Sequence, residues 1–222
     1  MVRHKASEKV LYVIGGVNGA GKSTFTDATF GSTDIKYINV DRMAMEMFGD
    51  YSTESNIKAG KEAINILNSW PKTRKPIVWE SVLESVLEGS FFGRTVNLYK
   101  KHGYMIDLTY LFLEDQETHL ERIRNRVENG GHDISTTDVI RRFHKRSKNF
   151  IDSSEMSDSW RLLCNQNPWF ELVAFGHGPT RIVSNFELFS NFYDISGNAR
   201  KFCQIKKLLG FSISQKKRAL TQ

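Results

Sequence analysis

Short apolar runs alternate along this chain with longer polar stretches whose apolar residues recur at helical spacing. LYVI (11–14) ends in glycines and reads as a buried parallel strand. IKYINV (35–40), PIVWE (76–80) and MIDLTYLFL (105–113) are rich in β-branched and aromatic residues and predict three more strands. SWRLLC (159–164) predicts a fifth, and ELVAFG (171–176) with TRIVS (180–184) a hairpin across the HGP turn. Between them, residues 22–30, 53–69, 91–102, 115–128 and 136–150 predict helices. In 53–69 the apolar positions Ala59, Ala63, Ile64 and Leu67 follow the helical period, and Gly103 and Gly130–Gly131 mark stops. Strand and helix in turn, with short connections, predict an α/β fold: a mostly parallel sheet flanked by helices, with a helical lid over about 122–150 and a C-terminal hairpin. Residues 1–194 are expected to form this domain, and 195–222 a weakly ordered basic tail.

The first strand runs straight into GGVNGAGKST (15–24), which from Gly16 reads G-x-x-x-x-G-K-S. A strand before and a helix after is the context this phosphate loop needs. The glycines let backbone N–H groups curl around phosphate oxygens, and the following helix turns its positive end to the same anion. Gly16, Asn18, Gly19, Ala20, Gly21, Lys22, Ser23 and Thr24 are the candidate nucleotide-binding residues. Lys22 would reach the β- and γ-phosphates of ATP, and Ser23 would hold Mg²⁺. The fold class expected is therefore that of phosphate-loop NTPases and kinases.

A phosphate loop leaves the reaction open. No NKxD reads guanine and no LSGGQ-like signature is present. YLFLED (110–115) offers Glu114 and Asp115 as a metal-site imitation, but a plain strand followed by an acidic first helical turn explains it better. What remains is a small kinase, which needs a proton-accepting group near the γ-phosphate. Asp41, in INVDRMA, and Glu80, in VWESVLES, both close strands whose carboxyl ends line the binding edge of an open α/β sheet. Asp41 fits equally a general base and the N-cap of a helix starting at Arg42. Arg122 and Arg126 share a helix face, and Arg141 and Arg142 follow beyond Gly130–Gly131. A helix–loop–helix of this kind brings guanidinium groups onto a transferring phosphoryl. His132 in its loop reads as a loop-fixing partner rather than a base.

Charge narrows the partners. The 222 residues carry 31 Lys+Arg and 25 Asp+Glu, a net +6. Residues 195–222 hold seven of the basic residues and no acid, so the rest is 24 against 25, or −1. The basic excess belongs to the tail, which weighs against a nucleic-acid target for the main domain. Surface binding to a membrane through KFCQIKKLLGF rests on one short stretch. No apolar run is long enough to span a bilayer, and MVRHKASEKV has no apolar core of a secretory signal. Two cysteines, Cys164 and Cys203, without zinc-ligand spacing, fit a reducing compartment, so a cytoplasmic enzyme is expected.

Taken together, these segments resemble the zeta-toxin family, in particular its chromosomal, small branch, over about residues 11–193. LYVIGGVNGAGKSTF and INVDRMA are similar to the family's phosphate loop and strand-end aspartate segment. AGKEAI (59–64) resembles an AGR-type helix start, and WESVLES the family's ETTLSG. RVENGGHDISTTDVIRRF resembles RVxxGGHxVPxxxIRRRY, and DSWRLLCN (158–165) a DxWxxxxN segment. The resemblance implies a kinase that moves the ATP γ-phosphate, with Mg²⁺, onto a UDP-sugar such as UDP-N-acetylglucosamine. It also implies a toxin held by a small antitoxin protein. By position, Lys22 and Ser23 bind ATP and Mg²⁺, Asp41 is the base, Glu80 and Ser81 seat the sugar nucleotide, and Arg126 with Arg141 or Arg142 clamps phosphates. Three departures stand out. Val82 and Glu84 replace a threonine and a serine, Ile140 replaces the first arginine of IRRR, and Ser135 replaces a lid proline, which should loosen that turn. These predict relaxed choice among UDP-sugars. The alternative is a small-molecule kinase or ATPase with a non-sugar or nucleic-acid target.

Overall fold

The computed structural model describes residues 9–84, 89–178 and 180–194. The basic tail and Cys203 lie outside them. Seven strands form one sheet: β1 (Val10–Gly16), β2 (Lys36–Ile38), β3 (Ile77–Ser81), β4 (Met105–Phe112), β5 (Ser159–Cys164), β6 (Glu171–His177) and β7 (Thr180–Val183), in the order β2-β3-β1-β4-β5-β6-β7. The first five in that order are parallel, and β6 and β7 continue antiparallel as the expected C-terminal hairpin. Among the described residues, seven α-helices accompany them: α1 (Lys22–Phe30), α2 (Val40–Phe48), α3 (Thr53–Ser69), α4 (Phe91–Lys101), α5 (Gln116–Glu128), α6 (Thr136–Glu155) and α7 (Phe186–Tyr193). This is a phosphate-loop kinase-like fold.

Alternation along β1 feeds two cores. Leu11 and Val13 point into a large cluster with Ile38, Ala63, Leu67, Trp79, Val96, Phe150 and Phe192, which buries α2, α3, α4, α6 and α7. Val10, Tyr12 and Ile14 point the other way, to Val78, Leu111 and Leu163, where Phe25 and Phe30 of α1 cover them. Because β1 is buried on both faces, it reads in sequence as an unbroken apolar run.

Three expectations are corrected. The second strand covers only Lys36–Ile38, because Asn39 already caps α2, accepting from the Arg42 amide at 3.0 Å. The helix expected at 136–150 runs on to Glu155, burying Ser153 and Ser154 under the sheet. Helix α7 was not anticipated. Asn185 caps it by accepting from the Leu188 amide, and its Phe189, Phe192 and Tyr193 close the large core beside β6.

The carboxyl ends of β1, β2, β3, β4 and β5 lie on one edge. From β1 the chain goes to β2 and β3 on one side and only later to β4 on the other, so the crevice opens at the end of β1.

Candidate functional site

The phosphate loop hangs between β1 and α1. Gly16 (φ 143°), Gly19 (φ 81°) and Gly21 (φ 89°) sit where side chains are strained. None of the three has room for a Cβ: one on Gly19 would come to 2.8 Å of the His119 carbonyl. A Cβ on Gly16 would come to 2.3 Å of the Leu111 carbonyl, and one on Gly21 to 2.2 Å of the Asn165 amide nitrogen. The loop is tied from outside at two carbonyls. Asn165, just after β5, donates to the Ala20 carbonyl at 3.0 Å, and His119 of α5 meets the Asn18 carbonyl through Nδ1 at 2.7 Å. His119 is fully buried, and burial pushes its pKa down to about 4, so it is the neutral ring that donates. Arg122 donates to the Asn165 carbonyl at 2.7 Å, fastening the lid's first helix to the same strand end.

Lys22 is buried, with its ammonium 3.3 Å from the Val17 carbonyl. Burial lowers its pKa against the pull of Glu80 and Asp41, while Arg126 and Arg142 push it lower still. A buried ammonium with two guanidiniums nearby is a place prepared for a polyanion. Arg126 and Arg142 both line the cleft, and the Nε of each is buried with no hydrogen-bond partner among the described residues. These donors, the glycine cradle and the buried lysine fit a nucleoside triphosphate.

Ser23 begins the first turn of α1 and donates to both Glu80 oxygens at 3.1 Å. Tyr37 donates a short hydrogen bond to the same carboxylate, and Asn39 donates to the Tyr37 hydroxyl at 3.0 Å. The Tyr37 phenol is held neutral by burial and by the Glu80 charge. No group of three or more His, Cys, Asp or Glu suited to a metal occurs among the described residues. Mg²⁺ asks for less: a hydroxyl and one or two carboxylates, with phosphates and water completing the shell. Ser23 and Glu80 supply that pair. Glu80 thus stands against Ser23 at the mouth of the phosphate loop, and it also lines the cleft, where the resemblance gave it to the sugar nucleotide. Ser81, its neighbour, lines the cleft and accepts from the Leu83 amide at 3.1 Å.

Asp41 lies in the first turn of α2. Asn39, not Asp41, makes the N-cap of α2. Asp41 is therefore relieved of the capping duty that the sequence left open, and its carboxylate lines the cleft with Lys22 and Glu80. Asn39 is as good a cap residue type as Asp41, and its place before Val40 was a usable signal.

The lid is α5, its connecting loop and α6. Of the two candidate arginines on α6, Arg142 faces the site. It donates to the Asn18 side-chain oxygen at 2.7 Å and to Glu84 at 3.1 Å. Arg141 sits on the outer turn, paired with Asp138 at 2.7 Å and with Glu84. Burial raises the Glu84 carboxyl, but hydrogen bonds from both arginines outweigh it and hold it below its usual range. Glu84 does not line the cleft, whereas Val82 does. The charge gained at Glu84 therefore faces the lid and not the acceptor. Ser135 caps α6 by accepting from the Asp138 amide at 3.2 Å. A cap of this kind contributes about 1 kcal/mol, which offsets the loosening expected from the absent proline. His132 lines the cleft and is fixed within the lid loop. Its carbonyl accepts from Arg126, and its ring packs on Tyr51 at 5.2 Å between centroids. Glu114 and Asp115 serve the fold: Glu114 accepts from Asn191 at 2.8 Å, and Asp115 caps α5.

Beyond Asp41 the cleft widens against α3, to a total volume of about 1730 Å³. That exceeds the roughly 300–1,000 Å³ typical of one small ligand and leaves space for a nucleotide and an acceptor. Its far wall carries the exposed Ile57 and Ile64, with Gly60 between them and Asn56 a turn before. Apart from its own neighbours and the α3 backbone around it, no atom of the described residues lies within 4 Å of a Cβ placed on Gly60. The Asn56 amide donates to the Tyr51 carbonyl at 2.8 Å, while its buried Oδ1 has no partner among the described residues.

With this geometry in place, known proteins supply context. A family model described as an AAA domain matches residues 11–149. The chain belongs to that AAA domain family. The match spans the phosphate loop, Asp41, Glu80 and the lid arginines together. An uncharacterised protein of Haemophilus influenzae is 30% identical over 144 residues, 64% of this chain and 98% of that one. Among solved structures, the AvrRxo1-ORF1:-ORF2 complex with ATP aligns at a TM-score of 0.61 and 16% identity, over 83% of this chain and 63% of that one. This chain thus spans less than two thirds of that protein. The PezAT chromosomal toxin–antitoxin system of Streptococcus pneumoniae aligns at a TM-score of 0.59 and 16% identity, over 94% and 90% of the two chains. At such identities the likeness is one of fold. No helix among the described residues is long and apolar enough to cross a membrane.

Proposed function

We propose that this chain is an ATP-dependent kinase that transfers the γ-phosphate to a hydroxyl of a UDP-sugar such as UDP-N-acetylglucosamine. In this reading it acts in the cytoplasm as the toxin of a toxin–antitoxin pair. The observation that carries the chemistry is the pairing across the cleft of a free-standing Asp41 carboxylate with buried Lys22 and the lid arginines. The resemblance to zeta toxins supports the acceptor class, and the fold shared with PezAT supports the antitoxin partner.

The backbone of Gly16–Thr24 and Lys22 hold the triphosphate. Ser23 and Glu80 would hold Mg²⁺, which would supply positive charge to offset that of the phosphates. Asp41 accepts the acceptor hydroxyl proton as the new O–P bond forms and the bond to the departing ADP oxygen breaks. Arg126 and Arg142 place positive charge on the phosphoryl oxygens during that exchange. Tyr37 donates to the Glu80 carboxylate and keeps it aimed at Ser23.

On the acceptor side, Val82 offers no hydroxyl to the cleft. One missing hydrogen-bond partner costs about 1–3 kcal/mol, or roughly tenfold to a hundredfold in selectivity. Several UDP-sugars should therefore be accepted. Incubation with ATP, Mg²⁺ and a mixture of UDP-sugars, followed by mass spectrometry, is expected to yield several phosphorylated products. Absence of any phosphorylated sugar nucleotide would overturn the acceptor class. A preference for one sugar above about a thousandfold would overturn only the relaxed specificity.

A further inference from the structure

The β3–α4 connection contains an unusual turn. Leu83 is buried in a left-handed conformation, φ 49°, which a leucine adopts only when its surroundings enforce it. The enforcement is visible. Its side chain packs over Gly15 so closely that a Cβ there would come within 2.5 Å of Leu83 Cδ1, and its amide donates to the Ser81 hydroxyl at 3.1 Å. The turn plugs the connection into the root of the phosphate loop and turns the next residue, Glu84, up toward the lid.

There the single Glu84 carboxylate meets two guanidiniums. One oxygen pairs with Arg141, and the other accepts from Arg142 Nη2 at 3.1 Å. Arg142 is thereby held at two of its three nitrogens, by Glu84 and by the Asn18 side chain at 2.7 Å. Its remaining Nε is buried without a partner among the described residues. A side chain with four rotatable bonds is thus presented in one orientation, with its Nε–H and the second N–H of each Nη still to give. The outer Arg141, anchored also to Asp138, keeps the carboxylate from swinging away.

We propose that Glu84 is a positioning residue for phosphoryl transfer, fixing Arg142 beside the phosphate loop so that its guanidinium meets the transferring phosphoryl without reorganisation. This rests on the kinase reading of the cleft. Preorganisation of this kind favours the transition state over the bound nucleotide. Glu84 should therefore matter little for ADP and much for a mimic of the transferring group.

Binding of Mg·ADP, with and without tetrafluoroaluminate, to the full chain by calorimetry tests this. The wild type is expected to bind the tetrafluoroaluminate complex more tightly than ADP alone. Glu84→Gln should lose about tenfold of that gain, within the range for coupled neighbours, with ADP affinity unchanged. Glu84→Ser should do the same. In an Arg142→Ala background, Glu84→Gln should cost less than about twofold more, since the effect runs through Arg142. Two results overturn the proposal: the full gain retained in Glu84→Gln, or an undiminished loss in the Arg142→Ala background. Tighter binding by Glu84→Gln also overturns it and makes Glu84 a competitor of the phosphoryl group. A wild type that gains nothing from tetrafluoroaluminate sinks the kinase reading as well, so the two failures are told apart.

Discussion

The two halves of the cleft are finished to different degrees. In the phosphate half, the protein ties the loop down with His119 on the Asn18 carbonyl, Asn165 on the Ala20 carbonyl and Arg142 on the Asn18 side chain, and the cleft-lining side-chain atoms left without partners among the described residues are donors suited to an anion, Arg126 Nε and Arg142 Nε. In the acceptor half, Asn56 Oδ1 is buried without a partner among the described residues, Ile57 and Ile64 are left exposed, and Gly60 faces open space. A triphosphate has one shape and one charge pattern, so its cradle can be rigid before binding. An acceptor wall completed by its ligand pays for that in exposed apolar surface, and tolerates more than one occupant.

The sharpest break of this comparison lies between the halves. Asp41→Asn keeps the shape of the side chain but cannot take a proton. Transfer should fall about 10²–10⁴-fold with ATP affinity nearly unchanged, measured by single-turnover kinetics and nucleotide titration. Lys22→Ala, inside the rigid half, should lower both, with turnover down about 10²-fold or more. If the Asp41 variant loses ATP affinity in step with turnover, Asp41 belongs to the phosphate half.

The lid gives the next contrast. Arg142→Ala should cost about 10²-fold in turnover, and Arg126→Ala a similar amount. Arg141→Ala, on the outer turn and 41% exposed, should cost only severalfold, through Glu84. Equal effects of Arg141→Ala and Arg142→Ala would remove the distinction between the two faces of α6.

His119 makes the rigidity of the phosphate half depend on pH. Its folded pKa of about 4 lies below the ordinary 6.5, so the unfolded chain binds the proton first. The contribution is fully present above pH 6.5 and is lost as pH falls toward 4. Between pH 7 and pH 5 the wild type should lose about 2 kcal/mol that a His119→Gln variant does not. Urea unfolding at the two pH values reads this, and parallel losses in both proteins would refute it.

The smallest effect separates stability from function in the acceptor half. Gly60→Ala adds a Cβ that touches nothing beyond its own stretch of α3 and removes a mid-helix glycine, so stability should rise by about 1 kcal/mol. The same methyl narrows the wall between Ile57 and Ile64, so the KM for the acceptor should rise severalfold. Thermal unfolding and steady-state kinetics on one sample give both numbers. An unchanged KM would place the acceptor elsewhere in the cleft.

Local chemistry made much of this protein legible from its residues alone. Strands and helices followed from apolar period and from glycine and proline stops, and the phosphate loop followed from Gly16, Gly21, Lys22 and Ser23 between a strand and a helix. The weaknesses were at boundaries that depend on a single competing hydrogen bond. Asn39 took the cap that Asp41 also fitted, shortening β2 and freeing a carboxylate. Helix α7 was missed because its apolar residues cover a core assembled from distant strands.

The chain by itself therefore determined which groups were available: a phosphate loop, the acids Asp41 and Glu80, and arginines on both arms of a lid. Only the tertiary structure decided how they are used, because their partners come from far along the chain. His119 lies 101 residues from the Asn18 carbonyl that it holds. Glu80 meets Ser23 because β3 pairs beside β1, in register Ile14 to Glu80. Arg142 rather than Arg141 enters the cleft because packing of Val139 and Phe143 fixes the rotation of α6, which helical period alone leaves undetermined between adjacent residues.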